Sequence, residues 1–192
     1  MKISSKTSRF LLLSISFCFA INANSQTTKT ETKDKNVVSM AKKDERPSPP
    51  LVAEGTINDL KVSIAYGSPA VKGRKIWGEL VPFDKVWRSG ANEATTIEVS
   101  RDCKVGGKAL KAGKYALFTI PGEKEWTIIF NSVPDQWGSY KYDESKDALR
   151  ISAMPDKSST FNERLTYKVA SENGNGNVSL AWENLVVNWE MR

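Results

Sequence analysis

From Leu51 onward apolar and polar residues alternate with a period of two, and turn-forming residues interrupt the alternation every few positions. Residues 52–57 and 60–66 flank Asn58-Asp59, a pair suited to a two-residue hairpin, and Val62, Ile64 and Tyr66 fall on one strand face. Residues 95–100 lead into a strand at 103–105, after which Gly106-Gly107 reverses the chain. The segments 115–120 and 126–130 are apolar on both faces, as central strands covered on two sides are. Further strands are predicted at 148–154 and 164–170, and the Asn/Gly run at 173–177 turns the chain into Val178, Leu180 and Trp182. The apolar phase then slips by one residue, resuming at Leu185, Val187, Trp189 and Met191. A one-residue slip sends every later side chain to the opposite face, so Glu183-Asn184 must be a bulge or tight turn that bends one strand or separates two. Single helical turns are predicted at 75–80 and 143–146. The pattern predicts an all-β protein, an antiparallel β-sandwich or jelly roll of about nine strands with one or two short helical turns.

The first residues obey a different rule. Lys2, Lys6 and Arg9 precede an apolar stretch at 10–21, too short to span a bilayer, and Ala23 and Ser25 supply small residues for cleavage before Gln26. Residues 1–25 therefore read as a signal peptide and the mature protein as periplasmic or secreted. Cys18 follows Phe17, whereas lipid attachment requires a small residue there. Residues 26–48, rich in Thr, Lys, Asp, Ser and Pro, lack the apolar surface to offset ordering entropy and read as a disordered tether. One β-sandwich domain is expected over 49–192, with no transmembrane segment once the signal is removed. The signal holds three of the 28 basic residues and none of the 22 acidic ones, so the rest of the chain carries only +3. That charge is too small to argue for a nucleic-acid partner. Cys103 is the single cysteine left, which excludes an intramolecular disulfide and reads as a buried thiol.

The densest chemistry lies between Gly73 and Ile97, where two Trp, two Arg, three Gly, an Asn and two Glu crowd between strand-like segments. Tyr66-x-x-Pro69, Gly73-Arg74-x-Ile76-Trp77-Gly78 and Val86-Trp87-Arg88-x-Gly90-Ala91-Asn92-Glu93-Ala94-Thr95 form a signature. Leu110-x-Ala112-Gly113-x-Tyr115, Ile120-Pro121-Gly122, Trp126-Thr127-x-Ile129-x-Asn131 and Trp182-Glu183 extend it. With these motifs the chain, from about Pro49 to Trp189, resembles the bacterial domain of unknown function numbered 2911, common in exported proteins of the Bacteroidetes group. The resemblance implies an exported compartment and the boundaries of the folded domain. It brings no activity and no catalytic residues.

Elimination narrows the chemistry. The chain has no His, so Ser-His-Asp and Cys-His catalysis and imidazole zinc sites are impossible, and one mature Cys excludes thiolate clusters. No Asp-rich calcium loop is present, and neither a metal nor a cofactor is predicted. Arg74, Arg88, Asn92 and Glu93 offer planar donors and acceptors, and Trp77 and Trp87 offer aromatic walls, which together suit a polar ligand. The structural alternative pairs Arg88 with Glu93 inside the fold and makes the Trp residues anchors. Trp137 and Tyr140, in a loop-like stretch, are either an exposed platform for a sugar or a packed loop anchor; Trp126, Trp182 and Trp189 read as core. Glu93 with Glu183, or with Glu79, would make a glycosidase pair only at the right separation. The reading is an envelope binding module without catalysis, with a glycan, a peptidoglycan fragment or an envelope protein as partner. A glycan-directed hydrolase and a structural or protein-interaction domain are the alternatives.

Overall fold

The period-two pattern buries one face of each strand, and the computed structural model, which describes residues 46–172 and 175–192, folds them into two antiparallel sheets that share one core. The signal expected at 1–25 and residues 26–45 of the expected tether lie outside the described residues, as do residues 173 and 174 of the predicted turn. The larger sheet contains β1 (Pro50–Ile57), β2 (Leu60–Gly67), β3 (Thr95–Val99), β6 (Gly113–Ile120), β7 (Trp126–Asn131) and β8 (Asp147–Ala153), in the order β1-β2-β3-β6-β7-β8. The smaller one contains β4 (Cys103–Val105), β5 (Lys108–Leu110), β9 (Pro155–Glu172) and β10 (Asn175–Met191), in the order β5-β4-β10-β9. The all-β sandwich of the sequence pattern is therefore observed, with ten strands.

Local chemistry accounts for the turns. Asn58 adopts φ 56 and sets Ile57 opposite Leu60 in the β1–β2 hairpin. The β4–β5 reversal uses Gly106 and Gly107, both at positive φ. The Tyr115 hydroxyl reaches back 2.9 Å to the carbonyl of Lys111, tying down the corner that precedes β6. In β6 and β7, Leu117, Ile128 and Phe130 face the shared core, while Ala116, Phe118 and Ile129 form a second cluster on the outer face. Val86 and Tyr142, from two long loops, cover that cluster, which is why these strands carry apolar residues on both faces.

The phase slip in the last strand is a bulge within one continuous strand. Val178, Leu180 and Trp182 are buried before it, and Val187, Trp189 and Met191 after it. Glu183 sits at φ 57, and the register jumps from Ala181↔Thr166 to Glu183↔Asn162 to Leu185↔Lys157. The partner β9 begins at Pro155, earlier than the pattern predicts, because Pro155-Asp156-Lys157 shows no apolar alternation and is recruited by backbone pairing with Val187, Val186 and Leu185 beyond the bulge. One predicted helical turn forms, a 3₁₀ turn at Glu144–Lys146 capped by Asp143, whose carboxylate accepts from the Ser145 amide at 2.9 Å. The other, at 75–80, does not. Gly78 at φ 81 breaks the right-handed run, and its amide bonds to Val81 O instead.

Candidate functional site

The crowded block between β2 and β3 does two jobs at once. Its Trp77 and Trp87 insert between the sheets and meet Trp126 of β7 and Trp182 of β10. The Trp77 ring lies 5.0 Å from Trp126 and 5.8 Å from Trp182, both edge-on, and Trp87 stacks on Trp182 at 6.1 Å. This cluster wedges the block into the core. The backbone around it is strained: Lys72, Asp84, Ser89 and Asn92 all adopt positive φ, each costing roughly 1–2 kcal/mol for a residue with a Cβ.

A buried polar network holds that strain. Ser89, fully buried, donates from Oγ to Thr119 Oγ1 at 3.1 Å. Its carbonyl accepts from Thr95 Oγ1 at 3.0 Å and from the Tyr167 hydroxyl at 2.9 Å. The Tyr66 hydroxyl accepts from the Tyr167 amide at 3.3 Å. Burial pushes the phenols of both Tyr66 and Tyr167 up, so the network stays neutral. The Ala91 amide bonds to Gly67 O at 3.1 Å, and a Cβ on Gly67 would sit 2.2 Å from Ala91 O. Only glycine allows that approach.

The outward side of the block forms a cleft of about 290 Å³. Arg74, Trp87, Arg88 and Asn92 line it, with Ser48 at one side and the edge of Trp182 among its walls. Four of the residues singled out in the sequence thus share one cavity. No Asp or Glu lines it. Arg74 spends its Nε on Val71 O at 3.0 Å and an Nη2 on Ala70 O, so its fork is partly committed to the backbone. Arg88 differs. Its Nε is buried without a hydrogen-bond partner, and among the described residues no carboxylate pairs with it. Asn92 donates from Nδ2 to Ser48 O at 3.1 Å. Two more open depressions, of about 520 and 580 Å³, lie over β1–β3 and β9–β10, but neither is lined by an aromatic or an Arg.

The remaining singled-out residues lie around this cleft or away from it. Glu93 does not line it; its side chain is half exposed, and both its oxygens lie 3.0 Å from Arg46 Nη1. Glu93 also pairs by backbone with Trp137, on the loop that follows β7. Trp137 and Tyr140 are 60% and 85% exposed, so both rings face solvent. Trp77 and Glu183 line a separate cleft of about 350 Å³, and Glu79 pairs with Lys75 at 3.0 Å. None of the described clefts is lined by two of Glu79, Glu93 and Glu183. Among the described residues no group of three His, Cys, Asp or Glu could hold a metal ion, and no helix is long and apolar enough to cross a membrane. Cys103 is a buried free thiol whose pKa burial pushes up.

Sequence reasoning missed the contribution of Arg46 and Ser48. Their stretch reads as tether by composition, yet Ser48 O meets Asn92, and Arg164 Nη1 donates to Ser68 O at 3.0 Å and to Pro47 O at 3.4 Å. The Pro-Ser-Pro-Pro run at 47–50, stiff and extended, was the available signal. With this geometry in place, comparison with known proteins gives one match: residues 48–191 fit the family described as Protein of unknown function (DUF2911). No curated protein and no solved structure matches the chain.

Proposed function

The chain belongs to the DUF2911 family of proteins of unknown function, and from the cleft built by its Arg/Trp/Asn block we propose that it is an exported, non-catalytic binding module of the cell envelope. Its ligand is an envelope glycan or a peptidoglycan fragment. One observation carries the reading: Arg88, placed in the cleft, keeps a buried Nε with no hydrogen-bond partner. Its guanidinium pairs with no carboxylate among the described residues, and no Asp or Glu lines the cleft, so its charge is left for an oxyanion of a ligand. Trp87 supplies the apolar wall and Asn92 a second polar side chain. Export rests on the signal-like residues 1–25. The scatter of Glu79, Glu93 and Glu183 over different surroundings favours binding over two-carboxylate hydrolysis.

A structural or protein-interaction role is the competing reading, favoured by the packing of Trp77 and Trp87 on Trp126 and Trp182. Thermal unfolding against a panel of envelope glycans and peptidoglycan fragments separates the two. Binding predicts saturable stabilisation of the wild type by a member of the panel. A panel without effect, together with a pull-down that recovers a stoichiometric envelope protein, would establish the competitor.

A further inference from the structure

Resting on that reading, we infer that the site takes an oxyanion-bearing saccharide, its carboxylate or phosphate held by Arg88 and its ring stacked on the exposed Trp137–Tyr140 loop. The sign of the charge comes from the lining. Arg74 and Arg88 are its charged residues, and no acid opposes them. The carboxylate of Glu93, the chain neighbour of the lining residue Asn92, is engaged by Arg46. A guanidinium presents its donors as a planar fork that matches two oxygens of a carboxylate or phosphate, and among the described residues no carboxylate occupies the fork of Arg88.

The ring half of the ligand comes from position. The loop carrying Trp137 runs directly beside the block: the Gly138 amide donates to Asn92 O at 3.2 Å, and the Ala94 amide to Gln136 O at 3.0 Å. Gly138 adopts φ 64 and packs closely enough that a Cβ there would lie 3.9 Å from Arg88 Nη1 and 3.1 Å from the Tyr140 ring. Arg88, Gly138 and Tyr140 are therefore contiguous, and Trp137 adjoins them in sequence. Two large aromatic side chains left in solvent on the loop beside an unpaired guanidinium supply a platform and an anchor for a charged sugar. The loop is held from below and does not need these rings for packing. Asn131 Nδ2 donates to Asp147 Oδ1 at 2.8 Å, Gln136 Nε2 to Val133 O at 2.7 Å, and Tyr142 packs on Phe118 at 5.1 Å.

Calorimetric titration of the purified full chain with three probes tests this: N-acetylmuramic acid, its neutral counterpart N-acetylglucosamine, and inorganic phosphate. The acidic sugar is expected to bind about tenfold or more tightly than the neutral one, with phosphate competing for the anion position. Arg88→Gln should erase that preference and leave weak neutral binding, whereas Trp137→Ala should weaken both sugars by a similar factor. Arg88→Lys, which keeps the charge without the fork, should fall between wild type and Arg88→Gln, and near-ultraviolet dichroism of each variant checks that the core is intact. Equal binding of the two sugars, unaffected by Arg88→Gln, would overturn the oxyanion assignment while leaving a binding module. Arg88-dependent phosphate binding with no sugar binding would overturn the ring assignment. Failure of all three probes would overturn this inference, and the broader binding reading would then stand or fall on the wider panel.

Discussion

The Tyr167 hydroxyl, from the middle of β9, donates a 2.9 Å hydrogen bond to the carbonyl of Ser89 in the block between β2 and β3. The bond links the smaller sheet to a residue strained at φ 56, immediately before Gly90. Tyr167→Phe keeps the ring, which packs on Tyr66 at 4.9 Å, and deletes the donor. Ser89 O retains its bond from Thr95, so the loss should be about 1 kcal/mol and not the larger cost of a stranded acceptor. Urea unfolding should show a lower midpoint at unchanged m-value. An unchanged midpoint would mean that the network is not what holds the block.

Much of this architecture was legible in the chain, for a physical reason. Burial on one strand face writes itself as alternation, so Val62, Ile64 and Tyr66, and the slip between Trp182 and Leu185, could be read directly. Where pairing is made by backbone alone the signal vanishes, as at Pro155–Lys157 at the start of β9. The site divides in the same way. Residue types identified Arg74, Trp87, Arg88 and Asn92, which share a cleft, because Arg and Trp together in a Gly-rich stretch are costly to place. Which partner each would take was not readable. The structural alternative paired Glu93 with Arg88, yet Glu93 faces Arg46, since a contact across 47 positions leaves no local pattern.

That exchange of partners sets the stability cost of neutralising Glu93. A buried Arg88–Glu93 pair would make Glu93→Gln cost roughly 3–5 kcal/mol. The observed pair with Arg46 leaves Glu93 51% exposed, and exposed ion pairs contribute about 1 kcal/mol or less. Glu93→Gln should therefore lower the unfolding free energy by less than about 1 kcal/mol, and the difference should shrink at high salt. A loss of several kcal/mol, insensitive to salt, would return Glu93 to the architecture.

The loop that carries Trp137 is tied at its far end by Tyr142, whose phenol is pushed up to about 12 by burial and then by its 2.6 Å hydrogen bond to Asp147. Its folded pKa lies above the ordinary value of 10.0, so the fold favours the neutral phenol. The resulting stabilisation is fully present below pH 10 and is lost as pH rises through about 12. The stability gap between wild type and Tyr142→Phe should accordingly be constant from neutral pH to about 10 and narrow above it. The ultraviolet difference spectrum of the same pair should place the phenolate midpoint near 12. A midpoint near 10 would show that neither the burial of Tyr142 nor its contact with Asp147 is maintained in solution.

Arg88 offers the sharpest separation of site from scaffold. A group that serves the fold loses stability when removed, whereas a group kept for a ligand often burdens the free protein. The buried Nε of Arg88 has no partner, and its guanidinium stands in a cleft without a carboxylate. Arg88→Met preserves most of the aliphatic stem while deleting the charged head. The ligand-free variant should be as stable as wild type or more so, by up to about 2 kcal/mol, because an unsatisfied buried donor has been removed. The same variant should lose the stabilisation that ligands give the wild type. If Arg88→Met instead destabilises the free protein by more than about 1 kcal/mol, the guanidinium is holding the block in place, and the cleft is a by-product of packing.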